Sequence, residues 1–149
     1  MGLENAVPYN GNKKIIGYKV LLKRRKNDEH DSTWYSSVYY KDYWYKVDGS
    51  MQKASGEFKY DYKFKVTNGG GVFHAFCKKE DALQFAEDLK IARKKGTYVI
   101  AKCEFPKGCD HVFFGQSKYM VLHRRGMTIK DSVCGSKMRI LEIEEFKNK

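Results

Sequence analysis

Four cysteines and four histidines are the residues of this 149-residue chain best suited to chemistry, and their spacing limits what they can do. Cys103, Cys109, His111 and Cys134 are of the types that bind zinc. Their Cys-x5-Cys-x-His spacing is not that of a usual knuckle, and no Cys-x2-Cys pair exists to place two thiolates on one turn. Cys103 also sits inside an apolar run, where cysteine behaves as a small hydrophobe. These four are weak metal candidates, and neither metal nor cofactor is expected. His74 and Cys77 lie three residues apart on a stretch of strand length, with no helix N-terminus to activate the thiol other than the one it precedes; packing accounts for both. His30 and His123 are isolated. No Walker loop, dinucleotide fingerprint, His-Glu-x-x-His or Gly-x-Ser-x-Gly occurs, and the glycines 69–71 precede a strand instead of a helix, which makes a poor phosphate cradle. No catalytic residue is assigned.

Charge offers a second kind of chemistry. The net charge is +11, from 29 basic and 18 acidic residues. Residues 1–60 carry 11 basic and 7 acidic side chains, residues 61–120 the same, and residues 121–149 carry 7 and 4, so the excess is spread along the chain. That excludes a basic tail and leaves a basic face assembled by folding, or a solvated lysine-rich surface. The densest clusters are Lys23-Arg24-Arg25-Lys26, Arg93-Lys94-Lys95 and Arg124-Arg125. If folding brings them together they form a polyanion-binding surface whose affinity falls with salt. Trp34, Tyr35, Tyr39, Tyr40, Tyr43, Trp44 and Tyr45 could stack on bases, but cross-strand aromatic pairing explains the same cluster.

The elements that must position these residues follow from periodicity. Phe58, Tyr60, Tyr62, Phe64 and Val66 alternate with Lys59, Asp61, Lys63 and Lys65, which predicts one half-buried strand. Asn68 and three glycines break it, residues 72–77 form a second strand, and a helix follows over about 79–95. Ala82, Phe85, Ala86, Leu89 and Ala92 define its apolar face, with Glu80 and Asp81 in its first turn. Ile15–Leu22 is apolar enough to be a central strand. Residues 34–40 and 43–47 read as a hairpin joined by Lys41-Asp42. Tyr98–Phe105 is a strong strand closed by Pro106-Lys107-Gly108, His111–Phe114 and Tyr119–His123 are shorter ones, and residues 137–146 are the last. Residues 1–13 are expected to be a loose arm. The remainder, 14–149, is then a single α+β domain, a mostly antiparallel, strongly twisted sheet on one main amphipathic helix.

Composition bounds the setting. Aromatic residues make up 15% and 11 residues are tyrosine, which suits a sheet with one wet face. No apolar run of membrane-spanning length is present, and no membrane partner is expected. The N-terminus lacks the apolar segment of a secretory signal, and Ala6 stands where a myristoylation motif needs Ser or Thr, so an intracellular protein with free thiols is expected.

Two resemblances are carried by these segments. VFHAFCKKEDALQFA resembles the Gly-Ile-His-Phe-Phe-x-Thr-x-Glu-Glu-Ala stretch of an uncharacterised domain of phages and large viruses often found beside pentapeptide repeats. Gly17-Tyr18-Lys19-Val20, YVIAKCEFPKG and Cys134-Gly135-Ser136-Lys137 with MRILEI are similar to it in the same order, while Lys78 stands where that family has a Ser or Thr cap. The resemblance implies a viral origin. More distantly, Gly71-Val72-Phe73-His74-Ala75 resembles the Gly-Ile-Tyr-Phe-Ala strand of the ADP-ribosyltransferase fold, with Phe73 in place of the ring-stacking tyrosine. That likeness implies an NAD cleft beside Tyr18, Gly70, Phe73 and His74. Tyr18-Lys19 replaces the His-Gly or Arg that grips the nicotinamide ribose. Lys137 or Met138 occupies the slot of the catalytic glutamate, which Glu142 or Glu144 would fill only in a shifted register. The expectation is therefore a basic binding or assembly module without catalysis, its partner a polyanion or another protein. The alternatives are an NAD-using transferase and a nucleic-acid-binding protein.

Overall fold

The computed structural model of this chain describes residues 2–24, 34–40, 42–93, 95–121, 123 and 126–147. Along them run β1 (Glu4–Pro8), β2 (Ile15–Lys23), β3 (Trp34–Ser37), β4 (Trp44–Lys46), β5 (Gln52–Lys53), β6 (Phe58–Asp61), β7 (Val66–Gly69), β8 (Phe73–Phe76), α1 (Lys79–Arg93), β9 (Thr97–Phe105), β10 (Phe113–Val121), β11 (Gly126–Gly135) and β12 (Lys137–Glu145). The main sheet has the order β1-β10-β11-β8-β2-β9-β12-β5, with β3 added to β2 and β4 to β3; β6 and β7 form a separate hairpin. Every pairing between these strands is antiparallel, and the sheet curls into half a barrel.

The expected central strand, β2, is buried on both faces, as is its partner β9. Val20 and Ile100 pack with Ala82, Phe85, Ala86 and Leu89 of α1. Leu21 and Val99 point the other way, into a cluster with Tyr45, Phe73, Phe105 and Met138. The helix thus covers one patch, and strand and loop residues close the opposite face. The class is mostly β, and the expected α+β description gives way for that reason. No helix among the described residues is long and apolar enough to cross a membrane.

Other expectations are corrected by long-range pairing. The loose arm is a strand: β1 pairs with β10, Leu3 and Ala6 are fully buried, and the Leu3 N–H donates to Thr67 Oγ1 at 2.8 Å. The single strand expected over 58–66 is a hairpin, leaving Tyr62 83% and Phe64 67% exposed. Asp61 Oδ1 accepts the N–H groups of Lys63 and Phe64, an Asx turn that an alternating pattern does not announce. Residues 113–121 are one strand where two were expected, and β11, whose middle is Thr-Ile-Lys-Asp-Ser, was not expected as a strand. The helix stops at Arg93, before the expected 95, and Ala92 is exposed.

Candidate functional site: a crevice in a split sheet

Along one edge, β2 changes neighbours. Tyr18 pairs with Phe76 of β8, whereas Leu21 and Leu22 pair with Ser37 and Ser36 of β3. Strand β8 stays on β11, with Phe73 opposite Gly135. The two neighbours of β2 therefore diverge, and Lys19 and Val20 line the opening between them. The crevice holds about 430 Å³, the size of a small-molecule site.

One wall is the β3–β4 hairpin, with Val38, Tyr39, Tyr43 and Tyr45; the other is β8, with Phe73, His74 and Phe76. Phe85 of α1 and Tyr119 of β10 also line it, with the polar side chains of Ser117, Lys118 and Ser132. The rings brace one another: Tyr43 and Tyr45 have centroids 5.0 Å apart, and Tyr45 and Phe73 are 6.0 Å apart. Gly70 stands at the rim because its backbone crosses that of Ser55; a Cβ there would lie 2.7 Å from Ser55 O. Thus Tyr18, Gly70, Phe73 and His74, the positions singled out by the ADP-ribosyltransferase resemblance, all line the crevice. No aspartate or glutamate does so among the described residues. Glu142 and Glu144 lie on β12, beyond β9 and β2, where Glu144 pairs with Lys79 at 2.6 Å; Met138 is buried in the core.

Three basic groups line this aromatic space, Lys19, His74 and Lys118, the last of them paired with Glu4 at 2.8 Å. Lys19 Nζ donates to His74 O and lies 5.2 Å from the Tyr45 ring centroid. Burial pushes its ammonium pKa down, against a weaker opposing influence of Cys103. Burial, with the nearby Lys19 charge, pushes His74 down to about 3, and its Nε2 is buried without a hydrogen-bond partner. Burial raises the Tyr43 and Tyr45 hydroxyls, so both remain protonated donors. The arrangement offers flat apolar walls, a buried amine and an unsatisfied imidazole nitrogen.

Sequence reasoning did not single out Lys19 as a site residue, and it offered Tyr39, Tyr43 and Tyr45 only as base-stacking candidates within an aromatic cluster. A signal for the first existed: Lys19 shares the inward face of β2 with Leu21, a position where a lysine needs a reason. For the tyrosines the aromatic cluster was itself the signal, but cross-strand packing and ligand contact look alike in sequence.

The basic clusters are partly united. Lys23 is in register with Thr97, which brings the end of β2 beside Lys95 and the end of α1. Arg24 stacks over Trp44 at 4.8 Å, Lys23 lies 4.0 Å from Glu145, and Arg93 Nη1 donates to Val38 O at 2.6 Å. Arg93 therefore clamps the crevice hairpin to α1. Arg25, Lys26, Lys94, Arg124 and Arg125, like His30, lie outside the described residues. His123 docks on α1, 3.3 Å from Asp88.

Of the four zinc candidates, Cys109, His111 and Cys134 lie near one another and Cys103 lies apart, each taken up by local contacts. Cys103 is buried in the β9 core, where burial pushes its thiol up to about 12. The Cys134 thiol donates to His111 O at 3.4 Å, Cys109 Sγ accepts the Lys137 N–H at 3.2 Å, and the His111 ring stacks on Phe58 at 4.5 Å. Among the described residues no group of three or more His, Cys, Asp or Glu is placed to hold a metal. Compared with protein-family models, curated proteins and solved structures, the chain has no match in any of the three.

Proposed function

We propose that this chain is a binding module that takes a small, flat ligand into the crevice between the β3–β4 hairpin and β8 and breaks no bond in it. One observation carries the reading: tyrosine and phenylalanine rings line the space around Lys19 and His74, with no carboxylate among the described lining residues. Rings supply stacking and dispersion to a planar ligand, while the lysine and the imidazole supply the few polar points that orient it.

The NAD-transferase alternative uses the same crevice and needs a carboxylate to polarise the ribose and stabilise an oxocarbenium-like state. The position of Glu142 and Glu144 on the far side of β9 favours binding over transfer. Calorimetry with NAD, nicotinamide and adenosine, followed by mass analysis of the recovered ligand, tests both parts. Heat with intact ligand is expected. Nicotinamide release on turnover would refute the absence of catalysis, and no heat from any of them at millimolar concentration would refute the crevice reading.

A second reading has its own observation. The joining of Lys23 and Arg24 with Lys95 at one end of the β2–β9 pair favours a polyanionic partner there, in a protein whose viral origin rests on the resemblance alone.

A further inference from the structure

A lysine buried away from every carboxylate is costly as an ammonium ion and useful as an amine. Among the described residues, Lys19 Nζ has no ion-pair partner. It meets His74 O from β8 and the face of Tyr45 from β4, with Cys103 of β9 nearby and Tyr43 and His74 lining the same space. None of these groups is an anion when neutral water surrounds the protein, since burial holds the hydroxyls and the thiol protonated. The amine also has room in front of it, because it lines a 430 Å³ crevice instead of a sealed core.

We propose that Lys19 captures a small aldehyde in this crevice as a reversible imine. The inference rests on the crevice being the ligand site and adds the class of ligand. In the reaction, Lys19 releases one proton to solvent, its lone pair attacks the carbonyl carbon, and a carbinolamine forms. Loss of water leaves C=N, and uptake of one proton on nitrogen gives the iminium, so that ammonium plus aldehyde yields iminium plus water. No oxidant or reductant is involved. The surroundings suit each stage: the His74 carbonyl accepts an N–H from the amine and then from the iminium, and the Tyr45 face supports the positive charge. The aromatic walls hold the aldehyde's own ring or chain.

The test treats the whole chain at pH 7 with pyridine-4-carboxaldehyde or acetaldehyde in the presence of cyanoborohydride, which fixes imines, and maps the modified lysines by mass spectrometry. An exposed lysine near 10.4 keeps only about one amine in 2,500 unprotonated at this pH, so Lys19 should be labelled about tenfold faster than any other lysine. Lys19→Arg should remove that label and leave the slow background. The wild-type map alone decides the matter if the variant does not fold. Label spread over exposed lysines with Lys19 unmodified would overturn the proposal. Pyridine-4-methanol, which has the ring without the carbonyl, separates the two levels. If it quenches crevice tyrosine fluorescence while Lys19 stays unlabelled, the imine is wrong and the crevice stands. If it does not bind either, both fall. Benzoate binding at an unlabelled Lys19 would instead make the residue an anion holder.

Discussion

Replacing His74 with glutamine removes an imidazole that folding holds neutral, and the effect should be visible only on the acid side of pH 6.5. In the folded chain the ring titrates near 3, in the unfolded chain near its ordinary 6.5. Between those values the unfolded state binds the extra proton, so stability rises with pH through this window. The contribution is fully present above 6.5 and is lost progressively below it. At pH 4.5 the unfolded ring lies two units below its own pKa while the folded ring is still neutral. Linkage then gives a loss of about 3 kcal/mol relative to pH 7.5. The residue as a whole is only half-buried, which relaxes the penalty, and about 2 kcal/mol is the expected figure. Urea denaturation of wild type and His74→Gln at pH 7.5 and 4.5 measures it. Carboxylates common to both proteins cancel in the double difference, leaving wild type about 2 kcal/mol more acid-sensitive. Equal pH dependence of the two proteins would refute the argument, because it would mean that the imidazole is either solvated or already satisfied in the fold.

Other expectations follow from packing and charge. Leu3→Ala deletes a fully buried side chain from what was expected to be an arm, and should lower the unfolding free energy by about 2–4 kcal/mol in urea titrations. Gly17→Ala places a Cβ 2.7 Å from Ala75 Cβ and 3.3 Å from Val133 Cγ1. Overpacking of that kind costs about 1–3 kcal/mol, and it should also weaken crevice binding in calorimetry by pushing β8 away from β2. Charge reversal in Lys23→Glu/Lys95→Glu should elute the protein from heparin at lower salt; unchanged retention would remove this end of the sheet as a polyanion site.

Much of the framework was readable locally. The largely apolar run Ile15–Leu22 predicted a central strand and Tyr98–Phe105 a strong one, and the spacing of Ala82, Phe85, Ala86 and Leu89 predicted a helix with one covered face. Periodicity works here because each of these segments carries its own record of which side meets the core. It misled over residues 58–66, where Tyr62 and Phe64 continue the alternation past a turn made by one aspartate oxygen. It was silent over β11, whose mostly polar residues 128–131 pair with β10 alone and keep their side chains at the surface, while β8 joins only from Ser132 onward.

Local pattern alone specifies the two central strands β2 and β9, the covering helix, the wealth of tyrosine and the lysine embedded in an apolar run. Long-range pairing placed β8 and β3 on the same edge of β2, which opened the crevice and set Lys19, His74 and six tyrosines around it. The reason is physical: side-chain alternation is a property of neighbours along the chain, whereas an edge chooses its hydrogen-bonding partner among segments far away in sequence.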